Sequence, residues 1–221
     1  MIVGLFAVIS VSAQDAGLID ASKVPATGDV VDDFIPNGWQ IEDDVAGDLN
    51  DDGTPDHAIT LIEEKPAKDG EMVDRGRALV IVFGGKDKLT RAAVAGSLLQ
   101  CTACGGAFYG VSPAPVNVSI SKGVLIIQQD HGSRWVTDTT FRFRYDEQPS
   151  MFILIGFDYS NRDRAQGTDV SESINYLTGK RIATSSKGKK TTTTVAKKRL
   201  SLEEVDSSEM EEAAAKRLGV D

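Results

Sequence analysis

The sequence predicts an all-β fold, an antiparallel meander or sandwich, on three observations. Seven short runs rich in β-branched and aromatic residues succeed one another, Gly, Pro, Asn and Asp separate them at short intervals, and no helical patterns are interleaved to supply the crossovers of a parallel sheet. The runs cover 39–46, 57–63, 78–83, 116–120, 124–128, 139–145 and 152–157. No segment repeats at a fixed period, as the blades of a propeller would.

Within this frame the turns and faces are legible. "SISKGVLII" predicts a hairpin turning at Lys122-Gly123, and "TTFRFRYD" places Phe141, Phe143 and Tyr145 on one face with Arg142 and Arg144 on the other. Residues 89–99, "LTRAAVAGSLL", have a helical composition, but Gly96 and the neighbouring "GGKDK" turn favour a strand.

The ends differ from the middle. Residues 1–13 form a short apolar stretch closed by small residues, the pattern of a secretory signal cut after Ala13, although no Lys or Arg precedes Leu5; a buried first strand is the alternative. An N-terminal extension covers 14–33 and the β-domain 34–184. Residues 185–200 read as a basic polar linker, and 201–221 as a short acidic helix with a capping box at Ser201 and Glu204, solvated because its apolar stripe is thin.

Charge and length narrow the functional classes. The 221 residues, 41% of them hydrophobic, suit one packed domain with tails. A net charge of -9 argues against a nucleic-acid surface, since the only dense basic run, Lys187 to Arg199, falls in the tail region. No segment is long enough to span a membrane, and the expected compartment is the periplasm or the exterior.

The acidic stretch "GDLNDDGTPDHAITL" carries the chemistry. With Asp48 at position one, Asn50 falls at three, Asp52 at five, Gly53 at six, Thr54 at seven and Asp56 at nine, the oxygen spacing of a calcium loop. Side chains of Asp48, Asn50, Asp52 and Asp56 and the Thr54 carbonyl are the candidate ligands. Position twelve is Ile59 instead of the bidentate Glu of an EF-hand, so the expected form is β-loop-β. A metal-free Asp/Asn/Gly turn is the alternative.

Cys101 and Cys104 admit four readings: a local disulfide, free thiols, half of a metal site, or a redox pair. Asp130, His131 and Ser133 sit together in "QDHGSR", but neighbours on a strand face opposite ways, so a polar hairpin turn is expected there and no catalytic residue is assigned.

The loop Asp48 to Asp56 resembles the calcium loop of FG-GAP and VCBS-type repeats. More widely, "FIPNGWQI", "GDLNDDGTPD", "RALVIVFG", "CTACGGAFYG", "SKGVLIIQQDHGS", "TFRFRYD" and "FILIGFDYSNRD" in that order resemble exported bacterial β-rich proteins of uncharacterised function that carry one such loop. The resemblance implies a bound Ca²⁺, an envelope location and an all-β fold. The leading expectation is therefore a calcium-stabilised binding or interaction module whose partner is a protein or an envelope component. The alternatives are a hydrolase of an envelope polymer and a thiol or metal protein using the cysteine pair.

Overall fold

Strands β1 (Thr27–Gly28), β2 (Trp39–Gly47), β3 (Asp56–Glu63), β4 (Arg77–Phe83) and β5 (Leu89–Ala95) form one antiparallel sheet in the order β1-β5-β4-β3-β2. A second sheet holds β6 (Val116–Ser121), β7 (Val124–Gly132), β8 (Trp135–Asp146), β9 (Met151–Asp163), β10 (Thr168–Asn175), β11 (Lys180–Thr184) and β12 (Lys190–Thr194), ordered as a meander from β6 to β12. These elements come from a computed structural model that describes residues 18–66, 73–110 and 112–220. The candidate export segment 1–13 lies outside the described residues.

Period-two alternation explains how the sheets meet. Leu79 and Ile81 of β4 join Leu125 and Ile127 of β7, Phe141 and Phe143 of β8 and Phe152, Leu154 and Phe157 of β9 in one buried core between the sheets. The β6–β7 hairpin turns at Lys122 and Gly123, whose φ angles of 52° and 71° are those of a two-residue type I′ turn.

The middle of sheet one, β3 and β4, is buried on both faces. Ile59 and Leu61 of β3 and Val80 and Val82 of β4 point away from the sandwich core and pack under Ile19, Val24 and Phe34. Residues 18–35, which take in most of the extension expected at 14–33 and the first two residues of the expected β-domain, thus form a third layer. This explains why β3 and β4 read as nearly continuous apolar runs.

Two expectations at the C-terminal side need correction. Residues 190–194 of the expected linker are strand β12, hydrogen-bonded to β11 with all five residues exposed. Composition alone missed it because nothing on an exposed edge strand has to be apolar. Likewise, the terminal helix α1 (Ser207–Leu218) is docked on the domain: Leu202, Val205 and Ala214 enter the main core, while Arg217 reaches the buried Glu172 of β10. Ser201 and Glu204 do form a cap, with the Ser201 N–H donating to Glu204 Oε2 at 2.8 Å, but it closes a 3-10 turn at Leu202–Glu204, and Asp206 caps α1.

Candidate functional site

The acidic loop joins β2 to β3. Its conformation follows from short side chains that accept hydrogen bonds from their own backbone: Asp48 takes the N–H groups of Asp51 and Gly53 at 2.8 and 2.9 Å, Asn50 Oδ1 that of Asp52 at 3.1 Å, and Asp52 that of Thr54 at 2.7 Å. Two left-handed residues, Asp51 and Gly53 with φ 63° and 81°, complete the bend.

Asp56 closes the loop from below. It is fully buried at the start of β3, where its carboxylate accepts the N–H groups of Leu49 at 2.8 Å and Gly84 at 2.9 Å. Burial raises its pKa above the ordinary carboxylate value, the two N–H groups offset part of that, and the charges of Asp52 and Asp48 raise it further. Gly84 must be glycine, because a Cβ there would lie 2.2 Å from the Pro55 carbonyl oxygen. The loop is thereby tied to the turn between β4 and β5.

The donor set suits a hard cation. Asp48, Asn50, Asp52 and Asp56 offer only oxygen, each carboxylate oxygen that accepts one N–H keeps further acceptor capacity, and no Lys or Arg pairs with these aspartates among the described residues. In the conformation described, these side chains are turned toward backbone amides, and among the described residues no three His, Cys, Asp or Glu groups converge as metal ligands.

A second feature lies at the other end of the sandwich. A cleft of about 510 Å³ is lined by Arg77, Gln100, His131, Tyr159, Glu211 and the Cys101–Cys104 disulfide, among others. Buried Arg77 holds Glu42 through two bonds of 2.6 Å and donates to the carbonyls of Gln100 and Ala114 at 3.2 and 2.9 Å. Gln129 accepts the Gln100 N–H at 2.6 Å and donates to the Leu98 carbonyl at 3.0 Å, which fixes the segment leading into the disulfide turn. Gly123, beside Asp48, and His131 stand eight residues apart along the β6–β7 turn and β7, so the loop and His131 are separated by about 26 Å at the usual strand rise. No family model matches the chain, and neither the curated proteins nor the solved structures contain a match.

The residues of "QDHGSR" do not form a triad. Asp130 accepts from the Tyr109 hydroxyl, His131 Nε2 lies 2.7 Å from Glu211 Oε2, and Ser133 sits in the turn with its N–H donating to the Trp135 carbonyl at 2.9 Å. Tyr109 is pushed up to about 12 by burial and then by Asp130. Both cysteine sulfurs are bonded to each other, joining the N-cap residue Cys101 to Cys104 of the 3-10 turn Thr102–Gly105.

Sequence reasoning missed the pairing of His131 with Glu211 and of Glu172 with Arg181 and Arg217. The first spans 80 positions and follows only from docking α1. The second left a trace, since Glu172 occupies the inward position between Val170 and Ile174, where a charge needs a buried partner.

Proposed function

We propose that this chain is a calcium-stabilised β-sandwich that works outside the cytoplasm as a binding or interaction module, in the manner of the loop-bearing exported proteins it resembles. The observation that carries the reading is Asp56, a fully buried carboxylate whose charge is opposed by Asp48 and Asp52 and met by no cationic side chain among the described residues. A divalent cation on the oxygens of Asp48, Asn50, Asp52, Thr54 and Asp56 would offset that repulsion. Held between the β2–β3 connection and the β4–β5 turn, the ion would act as a staple, and its distance from His131 separates it from the cleft.

The export reading rests on the 1–13 pattern and agrees with a paired Cys101–Cys104, which an oxidising compartment preserves. In the joined state neither sulfur offers a thiolate to a metal. Among the described residues no helix is long and apolar enough to cross a membrane.

Isothermal titration of chelator-treated protein with CaCl₂ tests the proposal. Uptake of one Ca²⁺ per chain and a higher melting temperature are expected, with both lost in Asp52→Ala. Absence of heat together with unchanged melting in chelator would remove the calcium reading.

A further inference from the structure

The two sheets end in edges of opposite charge. Residues 42–56, covering most of β2 and the acidic loop, contain seven Asp and Glu and no Lys or Arg; Glu42 is held by Arg77, Asp44 lies against His57 and Asp56 is buried, which leaves Asp43, Asp48, Asp51 and Asp52 without a cationic partner among the described residues, whereas residues 180–199, covering β11 and β12, contain eight Lys and Arg and no Asp or Glu. Of the second set, Lys180 to Lys190 are displayed on the folded β11–β12 hairpin, and Lys197 to Arg199 follow directly after β12. Six of its cations, Lys180, Lys187, Lys189, Lys190, Lys197 and Lys198, are exposed and have no carboxylate partner among the described residues.

Both elements are free edges. Among the described residues β2 is the last strand of sheet one and β12 the last strand of sheet two, with no strand beyond either. The bulge of β2 falls between Ile41 and Asp43, which leaves Asp44 to Gly47 in regular register, a length close to that of β12. Gly47 of β2 lies against Ile120 of β6, at the opposite edge of the second sheet from β12. Six strand spacings of about 4.8 Å put the two edges about 29 Å apart, on opposite flanks of the molecule.

Charged edges commonly keep copies of a protein from pairing, and that device requires like signs on the edges that would meet. Here the signs are opposite. Contact between the β12 edge of one copy and the β2 edge of the next is attractive, while β2–β2 and β12–β12 contacts are repulsive. We propose that copies of this chain associate head to tail, β12 against β2, through backbone pairing oriented by this charge. Because the contact joins different surfaces on opposite flanks, it propagates into chains or closes into rings.

Sedimentation velocity in chelator, which keeps occupancy of the acidic loop out of the measurement, tests the proposal. At about 0.01 M salt the sedimentation coefficient of the unmodified protein should rise with concentration, and at about 1 M salt, where screening shortens to about 3 Å, it should fall to the monomer value. Lys187→Glu/Lys189→Glu/Lys190→Glu lowers the charge of 180–199 from +8 to +2 and puts acids at the start of β12, and Asp43→Lys/Ala46→Lys lowers that of 42–56 from −7 to −4 and puts cations on β2 itself, without touching the loop or an ion pair. Each variant alone should lose association at least about tenfold, and an equimolar mixture should regain it, a result that unfolded variants cannot give. A monomer at about 100 µM in low salt, variants that associate like the parent, or a mixture that stays monomeric would each overturn the proposal.

Discussion

His131 of β7 and Glu211 of α1 meet at 2.7 Å, Nε2 to Oε2, and this contact ties the C-terminal helix to the end of the long sheet. The hydrogen bond to Glu211 raises the His131 pKa above 6.5, burial opposes the rise, and the charges of Glu211, Asp130 and Asp138 add to it. A histidine raised on folding contributes stability that is complete below its unfolded pKa and is lost as pH climbs through the folded one. Amide exchange in Ser207–Leu218 should therefore speed up as pH rises from 6.5 through the raised value, after correction for intrinsic exchange rates. Glu211→Gln should flatten that profile and cost about 1 to 2 kcal/mol at pH 6, read by urea denaturation.

Asp56 gives a dependence of the other kind. Its pKa is raised on folding, so ionising it lowers stability, and the metal-free protein should gain melting temperature as pH falls from the raised value toward 3.8. Calcium bound as proposed would reverse the trend, because the ion requires the ionised carboxylate. At a free concentration of about 100 times the dissociation constant, calcium should add about 2.7 kcal/mol to unfolding at neutral pH. Paired melting curves with calcium and with chelator across this range check both trends.

Glu172 is a fully buried carboxylate shared by Arg181 at 2.6 Å and Arg217 of α1. Replacing it with Ala leaves two guanidinium groups, the mostly buried Arg181 and the partly exposed Arg217, without their common partner. Glu172→Ala should cost about 3 to 5 kcal/mol by chemical denaturation, well above the loss from an exposed pair such as Lys23–Asp20.

Phe34 tests the third layer. It is fully buried in the cluster formed with Ile59, Leu61 and Val80, and Gly28 packs closely on its ring. Phe34→Ala should lower stability by about 3 to 5 kcal/mol; a loss below about 1 kcal/mol would mean that residues 18–35 lie loosely on the sheet.

Reduction of Cys101–Cys104 should have a smaller effect. The bond closes a loop only three positions long, for which the chain-entropy model gives about 2 kcal/mol or less. Melting in reductant should shift modestly, with local exchange confined to the turn beside the cleft.

Much of this fold was legible in the chain because its strands are half-buried and alternate. Phe141 and Phe143 with the intervening Arg142, and the Lys122-Gly123 turn, carry their geometry in composition. Strands β10 to β12 were not legible: Thr168–Asn175 is polar on its outer face, its central inward group is the paired Glu172, and Lys190–Thr194 buries no side chain. The acidic loop was legible as a turn of short polar residues between two strands, since neighbours in sequence are neighbours in a turn. The cleft was not, because Arg77, Gln100, His131 and Glu211 are brought together from four segments by tertiary packing.

Position 84 has a use in the laboratory. Any residue other than glycine there must displace the Pro55 carbonyl, and with it the N–H that anchors Asp56. In a library of variants sorted for folded protein, tolerance at this one site would act as a gauge of how rigidly the acidic loop must be held, with no need to add or remove any ion.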